Sequence, residues 1–294
     1  GKISVFTGAL AMGQGLKTAL AQICAEQFGV NASEVEVISG DTNFVSMGLG
    51  GFASRQTVTA GSSVHLAAVD VRRKALKVAS QILEASEDDL EVNQGKVKIK
   101  GTDKSISLGE ISRKLRGVPG YALPSGIEPG LESSQYWQTE VLAYSHSFHA
   151  CELEVDVGTG GIKILRYVAI QDSGKLINPM IVEGQLHGGI THGIGNAIFE
   201  FMGYDSEAQP YTTTFADYLL PTATEIPNFE ILFFESPSPF NPLGVKGVGE
   251  SGTVPVVPTI FSAIDSALAD WKIHLSNSPV SPVDIIQKIK KFKH

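Results

Sequence analysis

The sequence predicts a mixed fold of helices and strands, of the α/β or α+β class. One observation is the high content of turn-forming residues, 31 glycines and 14 prolines. The glycine clusters fall between strand-like and helix-like segments, where enzymes often place functional turns. Another is the composition of its 294 residues, 43% hydrophobic and 18% charged, which suffices for a core and argues against a disordered chain. The length allows one large domain or two modest ones.

Two helices of the first half are predicted to follow glycine turns. Gly13-Gln14-Gly15 precedes a run in which apolar residues recur every three or four positions, from Leu16 until Gly29. A second turn, over 48–55, precedes a long helical stretch. The predicted elements are, in order, a strand over 2–7, a helix over 16–28, a strand over 34–39, a helix over about 62–83, a strand over 96–100 and a helix over 107–116.

The last of these helices begins with Ser107 and Glu110, which are spaced as a capping box. Residues 117–134 then lose periodicity and bring glycines and prolines close together. We predict the boundary between two halves in this stretch, with domains over 1–125 and 126–294.

The second half is predicted to open with a hairpin, whose strands over 149–155 and 162–170 flank a glycine turn. A helix over about 182–201, an irregular stretch over 211–242, a glycine loop over 244–252, a helix over about 260–269 and a final helix starting at Ser281 and Pro282 follow. Gly-Gln stands at a predicted helix start twice, at Gly13-Gln14 and Gly184-Gln185. This echo either reflects two related halves or arises by chance.

The charge balance is 23 basic against 31 acidic residues, a net charge of −8 without a basic stripe. Nucleic acid is therefore not expected as a partner. Since no apolar run approaches the roughly 20 residues of a membrane span, we predict a cytoplasmic protein that does not bind membranes. The chain begins with Gly1 and a strand follows at once, so we expect a processed form or a piece of something longer.

The cysteines and histidines do not form a metal-binding pattern. Cys24 and Cys151 are too few to hold an iron–sulfur cluster or a zinc ion, so any electron-transfer cluster must lie on another chain. Both occupy apolar patterns typical of packing residues. His187 and His192 are five apart, which is the wrong spacing for two ligands on one helix face. We expect no metal ligated directly by the protein.

Glycine turns that open helices present unpaired backbone N–H groups and the positive end of the helix dipole, which suits phosphate and other anions. For any single turn, a purely conformational role is the stronger alternative. Three such turns in one chain, however, favour a large anionic cofactor. Neither the dinucleotide fingerprint nor a P-loop occurs, so generic NAD or ATP binding is disfavoured.

Five polar side chains in these turns carry alternative roles. Glu250, between glycines, suits a general base, although a favourable charge at a helix N-terminus is the stronger reading on physical grounds alone. Gln14 and Gln185 either hydrogen-bond a cofactor or solvate a turn, with equal weight. Arg55, more than Ser54, suits a phosphate because its guanidinium makes bidentate contacts, and it otherwise caps the next helix.

A series of motifs then appears in order along nearly the whole chain. These are Met12-Gly13-Gln14-Gly15-Leu16, Gly40-Asp41-Thr42 through Ala53-Ser54-Arg55, Asp172-Ser173-Gly174 with Ile177-Asn178-Pro179, Glu183-Gly184-Gln185-Leu186-His187-Gly188-Gly189, Asp217-Tyr218-Leu219-Leu220-Pro221-Thr222, Pro237-Ser238-Pro239 with Asn241-Pro242-Leu243-Gly244, and Gly247-Val248-Gly249-Glu250. The chain resembles the second molybdenum-cofactor-binding domain of the xanthine oxidase family of molybdenum hydroxylases. The resemblance implies an α+β fold with mixed sheets, packed helices and two similar subdomains.

By this resemblance, molybdenum is held by the dithiolene of a pterin and carries a sulfido or selenido ligand. Glu250 matches the family's catalytic base, which takes a proton as water-derived oxygen is added to an electron-poor carbon. The residues implied in cofactor binding are Gly13, Gln14, Gly15, Leu16, Gly51, Phe52, Ala53, Ser54, Arg55, Gln56, Gln185, Gly247, Val248 and Gly249.

The first cofactor-binding domain of the family's large subunit has no counterpart in this sequence. Some relatives, nicotinate dehydrogenase among them, split that subunit, and this chain resembles the later part, which implies molybdopterin cytosine dinucleotide. The expected partners are the other half of the large subunit, an iron–sulfur subunit, an FAD subunit and a small-molecule substrate. The implied activity is hydroxylation of an N-heteroaromatic compound or aldehyde. The alternatives are carbon monoxide oxidation and a non-catalytic scaffold or cofactor-assembly protein.

Overall fold

The computed structural model describes residues 1–117, 119, 122–123 and 125–292. The chain divides into two compact units: unit 1 comprises Gly1–Ala143 with Pro237–Lys246, and unit 2 comprises Tyr144–Ser236 with Gly247–His294. Residues 118, 120, 121 and 124 of the predicted boundary stretch lie outside the described residues. The domain division at 125/126 stays a prediction.

The described residues of unit 1 form two small sheets and three α-helices. Its elements are β1 (Ile3–Thr7), α1 (Leu16–Phe28), β2 (Val35–Ser39), α2 (Ser62–Leu83), β3 (Leu90–Asn93), β4 (Lys96–Ile99), β5 (Ser105–Ser107) and α3 (Leu108–Lys114). Strands β1 and β2 pair in parallel, with Ile3 opposite Val35 and Thr7 opposite Ser39. Strands β3, β4 and β5 form an antiparallel sheet in that order.

Helix periodicity and capping explain the unit 1 helices. Helix α1 buries Leu20 and Phe28 and ends at Gly29, whose φ of 60° is the left-handed conformation that glycine adopts without cost. The predicted capping box of α3 is confirmed: Ser107 Oγ accepts from the Glu110 N–H at 3.2 Å, and the Ser107 N–H donates to Glu110 Oε2 at 2.9 Å.

A short segment from late in the chain completes unit 1. In Pro237–Lys246, the buried Asn241 closes a loop: its Oδ1 accepts from the Val245 N–H at 3.1 Å, and its Nδ2 donates to the Val245 carbonyl at 2.9 Å. Leu243 packs against Gly61, which lies directly before α2: a Cβ added at Gly61 would be 3.2 Å from Leu243 Cδ1.

Unit 2 contains one mixed sheet and three α-helices. Its elements are β6 (His146–Val155), β7 (Ile162–Asp172), α4 (Pro179–Ile198), β8 (Phe229–Phe233), α5 (Val256–Ala267) and α6 (Pro282–Phe292). The predicted hairpin is formed by β6 and β7, while β8 pairs with β7 in parallel. Tyr167, Ile190, Ile194, Ile260 and Ile264 are fully buried in the core between the sheet and the helices.

The α+β class with mixed sheets is confirmed, but three strands were missed and the starts of two helices were misplaced. Strands β3, β5 and β8 were not predicted, and α5 starts four residues earlier than expected. Helix α4 starts at Pro179 rather than 182, because Asn178 Oδ1 caps the Ile181 N–H at 3.1 Å and Pro179 suits the first turn. Gly184-Gln185 therefore lies inside α4, and its predicted place at a helix start is wrong.

Two features are absent from the described residues. No helix among them has the length and apolarity needed to cross a membrane. Within the same part of the chain, no group of three or more His, Cys, Asp or Glu side chains is arranged to hold a metal ion.

Candidate functional site

Two glutamine amides join the glycine turns of unit 1. Gln14 Nε2 donates to Gln56 Oε1 at 2.6 Å and to the Leu10 carbonyl at 3.1 Å, and its Oε1 accepts from the Met12 N–H at 2.6 Å. Gln56 Nε2 donates to the same Leu10 carbonyl at 3.1 Å. These bonds fix the turn before α1 against the turn before α2. Of the predicted site residues, Gln14 and Gln56 are thus brought together.

The first glycine turn presents the start of α1 without a side-chain cap. Gly15 is the N-cap residue with φ 78°, and no side chain caps the helix. The N–H groups of the first turn therefore lack intrahelical acceptors. At Gly13, φ is 101° and nothing described lies within 4 Å of where a Cβ would be. The turn leaves room for a ligand at the positive end of the α1 dipole.

The second turn contains two consecutive non-glycine residues in the left-handed region, Ala53 with φ 53° and Ser54 with φ 51°. This conformation costs roughly 1–2 kcal/mol per residue. Helical structure follows directly, since the Arg55 carbonyl accepts from the Thr59 N–H at 2.9 Å and a π-helical turn at Thr57–Gly61 leads into α2. Such strain and π turns concentrate at functional sites.

Close packing holds the two turns together. A Cβ at Gly51 would lie 2.6 Å from Met12 Cε and 3.1 Å from Gln56 Nε2. The side chains of Met12 and Gln56 thus occupy the space beside Gly51, and a larger residue there would displace their ends.

Arg55 lies beside the second turn and stacks on an aromatic ring. Its guanidinium carbon is 3.9 Å from the centroid of the Phe52 ring, within the distance of a cation–π contact. The contact holds the guanidinium close to the second turn, which contains Phe52. This is compatible with the predicted phosphate contact, which stays a prediction.

In unit 2, Glu250 is exposed in the turn that precedes α5. Its carbonyl accepts from the Thr253 N–H at 3.1 Å, and Ser251 bonds the Val248 carbonyl through both its N–H and its Oγ. Helix α5 starts at Val256 and has no acidic residue in its first turn. Because dipole effects fade beyond the first turn, the alternative role of Glu250 as a charge at this helix N-terminus is not supported.

The Glu250 turn is fixed to α4. Thr253 Oγ1 donates to the Gly189 carbonyl at 2.9 Å. A Cβ at Gly252 would lie 3.1 Å from the Leu186 carbonyl oxygen, and a Cβ at Gly189 would lie 3.1 Å from Gly252 Cα. The predicted residues Gly247, Val248 and Gly249 lie in the same turn as Glu250 and so share this anchor.

The glycines of α4 have two different surroundings. Gly193 is covered by α5, because a Cβ there would overlap Val256. Gly184 and Gly188, one helical turn apart, have no described atom within 4 Å of a Cβ position. Gln185 stands between them in sequence and is half-buried. This part of α4 presents backbone to its surroundings without side-chain cover.

The predicted site residues therefore form two sets. Gln14, Gln56 and the two glycine turns belong to unit 1, whereas Gln185 and the Glu250 turn belong to unit 2. The Leu10 carbonyl and Gly188 were missed by sequence reasoning. Only the four-residue spacing of Gly184 and Gly188 was a usable signal for the latter.

Other titratable groups lie outside these sets. Burial raises the pKa of Cys24 and of Cys151 to about 11, which disfavours the thiolate form that a nucleophile needs. His149 Nδ1 is 2.9 Å from the Tyr167 hydroxyl, and burial lowers the pKa of His149 to about 4 while raising that of Tyr167. Sequence reasoning gave no signal for this pair.

Comparison with known proteins places these features in context. Residues 1–227 match the family model described as molybdopterin cofactor-binding domain. The chain is 40% identical to the 6-hydroxypseudooxynicotine dehydrogenase complex subunit gamma of Paenarthrobacter nicotinovorans over 98% of this chain and 36% of that one. It is 38% identical to the carbon monoxide dehydrogenase large chain of Hydrogenophaga pseudoflava over 97% of this chain and 35% of that one.

A solved structure gives the same picture. Quinoline 2-oxidoreductase from Pseudomonas putida 86 aligns with a TM-score of 0.91 and 34% identity, covering 99% of this chain and 37% of that one. The chain thus spans little more than a third of the length of the relatives it matches.

Proposed function

The chain belongs to the molybdopterin cofactor-binding domains of the xanthine oxidase family, and from that premise we propose that it forms the later part of the molybdenum site of a multi-subunit hydroxylase. The observation that carries the proposal is the joined pair of glycine turns in unit 1, which combines an uncapped helix start with fixed neutral amides. A large anionic ligand with polar edges fits this donor set.

The residues of unit 1 fit a phosphate-bearing pterin. Gly13 and Gly15 leave the α1 N-terminus open, and N–H groups there bind anions without a charged ligand. Arg55 would supply the positive charge beside the strained Ala53–Ser54 turn. Gln56 retains one N–H beyond its bond to Leu10 among the described contacts, so it would donate to a cofactor oxygen.

The residues of unit 2 fit the reacting end. The uncovered backbone at Gly184 and Gly188 allows a flat ligand to lie close to α4, with Gln185 as a hydrogen-bonding partner. When bound, the molybdenum cofactor supplies the two-electron redox chemistry of substrate hydroxylation. A carboxylate oxygen of Glu250 would take the proton from the oxygen nucleophile, as a general base held in place by the Thr253 and Gly252 contacts with α4.

The proposed substrate is an N-heteroaromatic compound or an aldehyde. The relatives named after 6-hydroxypseudooxynicotine and quinoline support a heteroaromatic class. Carbon monoxide oxidation is the second candidate, because the carbon monoxide dehydrogenase large chain is nearly as similar, at 38% identity. Assays of the purified complex with quinoline, benzaldehyde and carbon monoxide would separate the two.

We propose molybdopterin cytosine dinucleotide, with a sulfido or selenido ligand on molybdenum, as the cofactor. A dinucleotide has a pyrophosphate, which matches two helix starts and Arg55 as donors in unit 1. Acid release followed by nucleotide chromatography should yield CMP. A molybdenum-loaded complex that yields no CMP would contradict this form.

The proposed partners are the other half of the large subunit, an iron–sulfur subunit and an FAD subunit. The sequence has only two cysteines, Cys24 and Cys151, which are too few to ligate an iron–sulfur cluster, so the proposed path of the electrons leads through other chains. The cytoplasmic location stays a prediction.

Purification of the native complex through a tag on this chain tests the proposal. We expect molybdenum by metal analysis, and the three partner chains by mass spectrometry. A complex wholly without molybdenum would favour a non-catalytic scaffold or assembly protein, and an active monomer would contradict the proposed partners.

A further inference from the structure

The parallel sheet of unit 1 has only two strands among the residues that the structure describes. Strands β1 and β2 pair along their full lengths, from Ile3 opposite Val35 to Thr7 opposite Ser39. In such a pair, about half of the backbone N–H and C=O groups of each strand point away from the partner. Both outer edges therefore offer hydrogen-bonding groups to a further strand.

One face of this sheet is covered and the other is open. Val5 and Thr7 are buried on the side where α1 packs, whereas Ser4 and Phe6 alternate with them and are exposed. Phe6 is 46% exposed and Phe44 is 60% exposed, and their ring centroids are 4.9 Å apart. The open face thus presents an aromatic pair to its surroundings.

This arrangement is unusual for a parallel sheet. Parallel strands occur almost entirely in sheets with both faces covered, and isolated two-stranded pairs are marginal in water. The apolar surface extends past the end of β1, because Leu10, Met47 and Leu49 are each at least half exposed and Gly8 packs its backbone on Met47 and Gly48. Five large apolar side chains are thus exposed in this part of unit 1, and contiguous exposed apolar residues mark interaction sites.

The length of the relatives indicates what covers it. The chain matches 35–37% of the carbon monoxide dehydrogenase large chain and of quinoline 2-oxidoreductase, so most of each relative lies outside the match. A polypeptide of that size is available to supply both a strand and an apolar cover.

We propose that an extended segment from the remaining part of the large subunit adds a strand to an open edge of the β1–β2 sheet and covers Phe6 and Phe44. Main-chain hydrogen bonds supply the pairing, and the aromatic pair selects apolar side chains of the added strand. The inference rests on the proposed function, because it takes the other half of the large subunit as the occupant.

The first test places the photo-cross-linking residue p-benzoylphenylalanine at position 6 of the tagged chain, in the native complex. We expect cross-links to a segment of the other half of the large subunit. The same residue at position 104, in the turn between β4 and β5, is the control and should not cross-link to that segment. Cross-links from position 6 to a second copy of this chain or to the iron–sulfur subunit would overturn the proposal.

The second test measures amide hydrogen exchange in the unmodified complex. We expect slow exchange at every amide of one of the two strands, 3–7 or 35–39, including the amides on its outer edge, compared with the exposed turn at 100–104. Fast exchange at alternate residues of both strands would mean that no strand is added.

A substitution gives a third, independent readout. Phe6→Asp should reduce recovery of the other half of the large subunit about tenfold or more, because a charge replaces an aromatic ring that the added strand would cover. Tyr136→Asp, at another exposed aromatic of unit 1, should not. A molybdenum-loaded complex with its partner chains that fails these tests overturns only this inference, whereas a complex without molybdenum or without those chains overturns the proposed function.

Discussion

Gln14 Nε2 donates to Gln56 Oε1 over 2.6 Å, and both side-chain amides donate to the carbonyl of Leu10. The two N–H bonds of Gln14 are both used within the chain. Among the described contacts, Gln56 keeps one N–H for an outside acceptor. The pair therefore assigns Gln14 to holding the turns together and Gln56 to offering a donor.

Gln56→Ala should lower molybdenum content per chain and reduce the free energy of unfolding by about 1 kcal/mol, because it removes the acceptor of Gln14 and a donor to Leu10. Metal analysis and urea denaturation check these two effects. Gln138→Ala, an exposed glutamine of the same unit, is the control. Native molybdenum content in the Gln56 variant would contradict the assigned role.

Glu250→Gln should keep shape and cofactor but reduce turnover about 10²- to 10⁴-fold, because the amide cannot take a proton. Turnover is divided by the molybdenum content, so that cofactor loss is not mistaken for loss of the base. Glu207→Gln, at an exposed acidic residue of unit 2, should turn over at the native rate. A fully loaded Glu250 variant with native turnover rules out the base.

Arg55→Ala should lower molybdenum occupancy while activity per bound molybdenum stays near native, because the side chain is proposed to contact phosphate and not the reacting atoms. Arg55→Lys keeps the positive charge but loses the bidentate guanidinium. Its molybdenum occupancy should lie between those of the native chain and Arg55→Ala. Arg116→Ala serves as the control. Unchanged occupancy in Arg55→Ala would exclude the phosphate contact.

Gly193→Ala and Gly188→Ala should change stability in opposite directions. At Gly193 the added methyl group overlaps Val256, and overpacking costs about 1–3 kcal/mol. At Gly188 nothing described lies within 4 Å, so removing a helical glycine should add about 0.5–1 kcal/mol. Urea denaturation of the cofactor-free chain measures both. Gly188→Ala should nevertheless lower cofactor content, since its methyl group occupies the uncovered face of α4.

The free energy of unfolding should decrease as the pH is lowered, because His149 takes up a proton more readily in the unfolded chain. Burial lowers the pKa of His149 to about 4 in the folded chain, against about 6.5 unfolded. The unfolded state binds more protons between these values, so stability is complete above about pH 6.5 and decreases toward pH 4 by up to about 3 kcal/mol.

Denaturation at about pH 7.5 and about pH 5 measures this slope. His149→Gln, which keeps a polar partner for Tyr167 without titrating, should flatten it. His192→Gln, at an exposed histidine, should leave it unchanged. An equal slope in all three proteins would show that His149 is not responsible.

Local sequence signals predicted the elements that local forces determine. The apolar spacing from Leu16 to Gly29 gave α1, and the pair Ser107 and Glu110 gave the start of α3. Strands β3, β5 and β8 are only three to five residues long. Their pairing comes from tertiary partners, which a short window of sequence does not contain.

The sequence predicted which turns form the candidate site, but not the contacts between them or their backbone conformations. Gln14 and Gln56 are 42 residues apart, and nothing in either local sequence indicates that they pair. The left-handed conformations of Ala53 and Ser54 contradict the preferences of those residue types. Such conformations persist because the surrounding structure imposes them, so residue type alone gives no warning.

The late segment Pro237–Lys246 also determines the order in which the two units can be completed during translation. Unit 1 lacks Leu243, the packing partner of Gly61, until the ribosome has passed residue 246. At about 5–20 residues per second, the intervening strands β6 and β7 are synthesised several seconds before unit 1 receives its last piece. The N-terminal unit is thus finished after the hairpin that follows it, and a chain whose translation stops at residue 236 leaves both units incomplete.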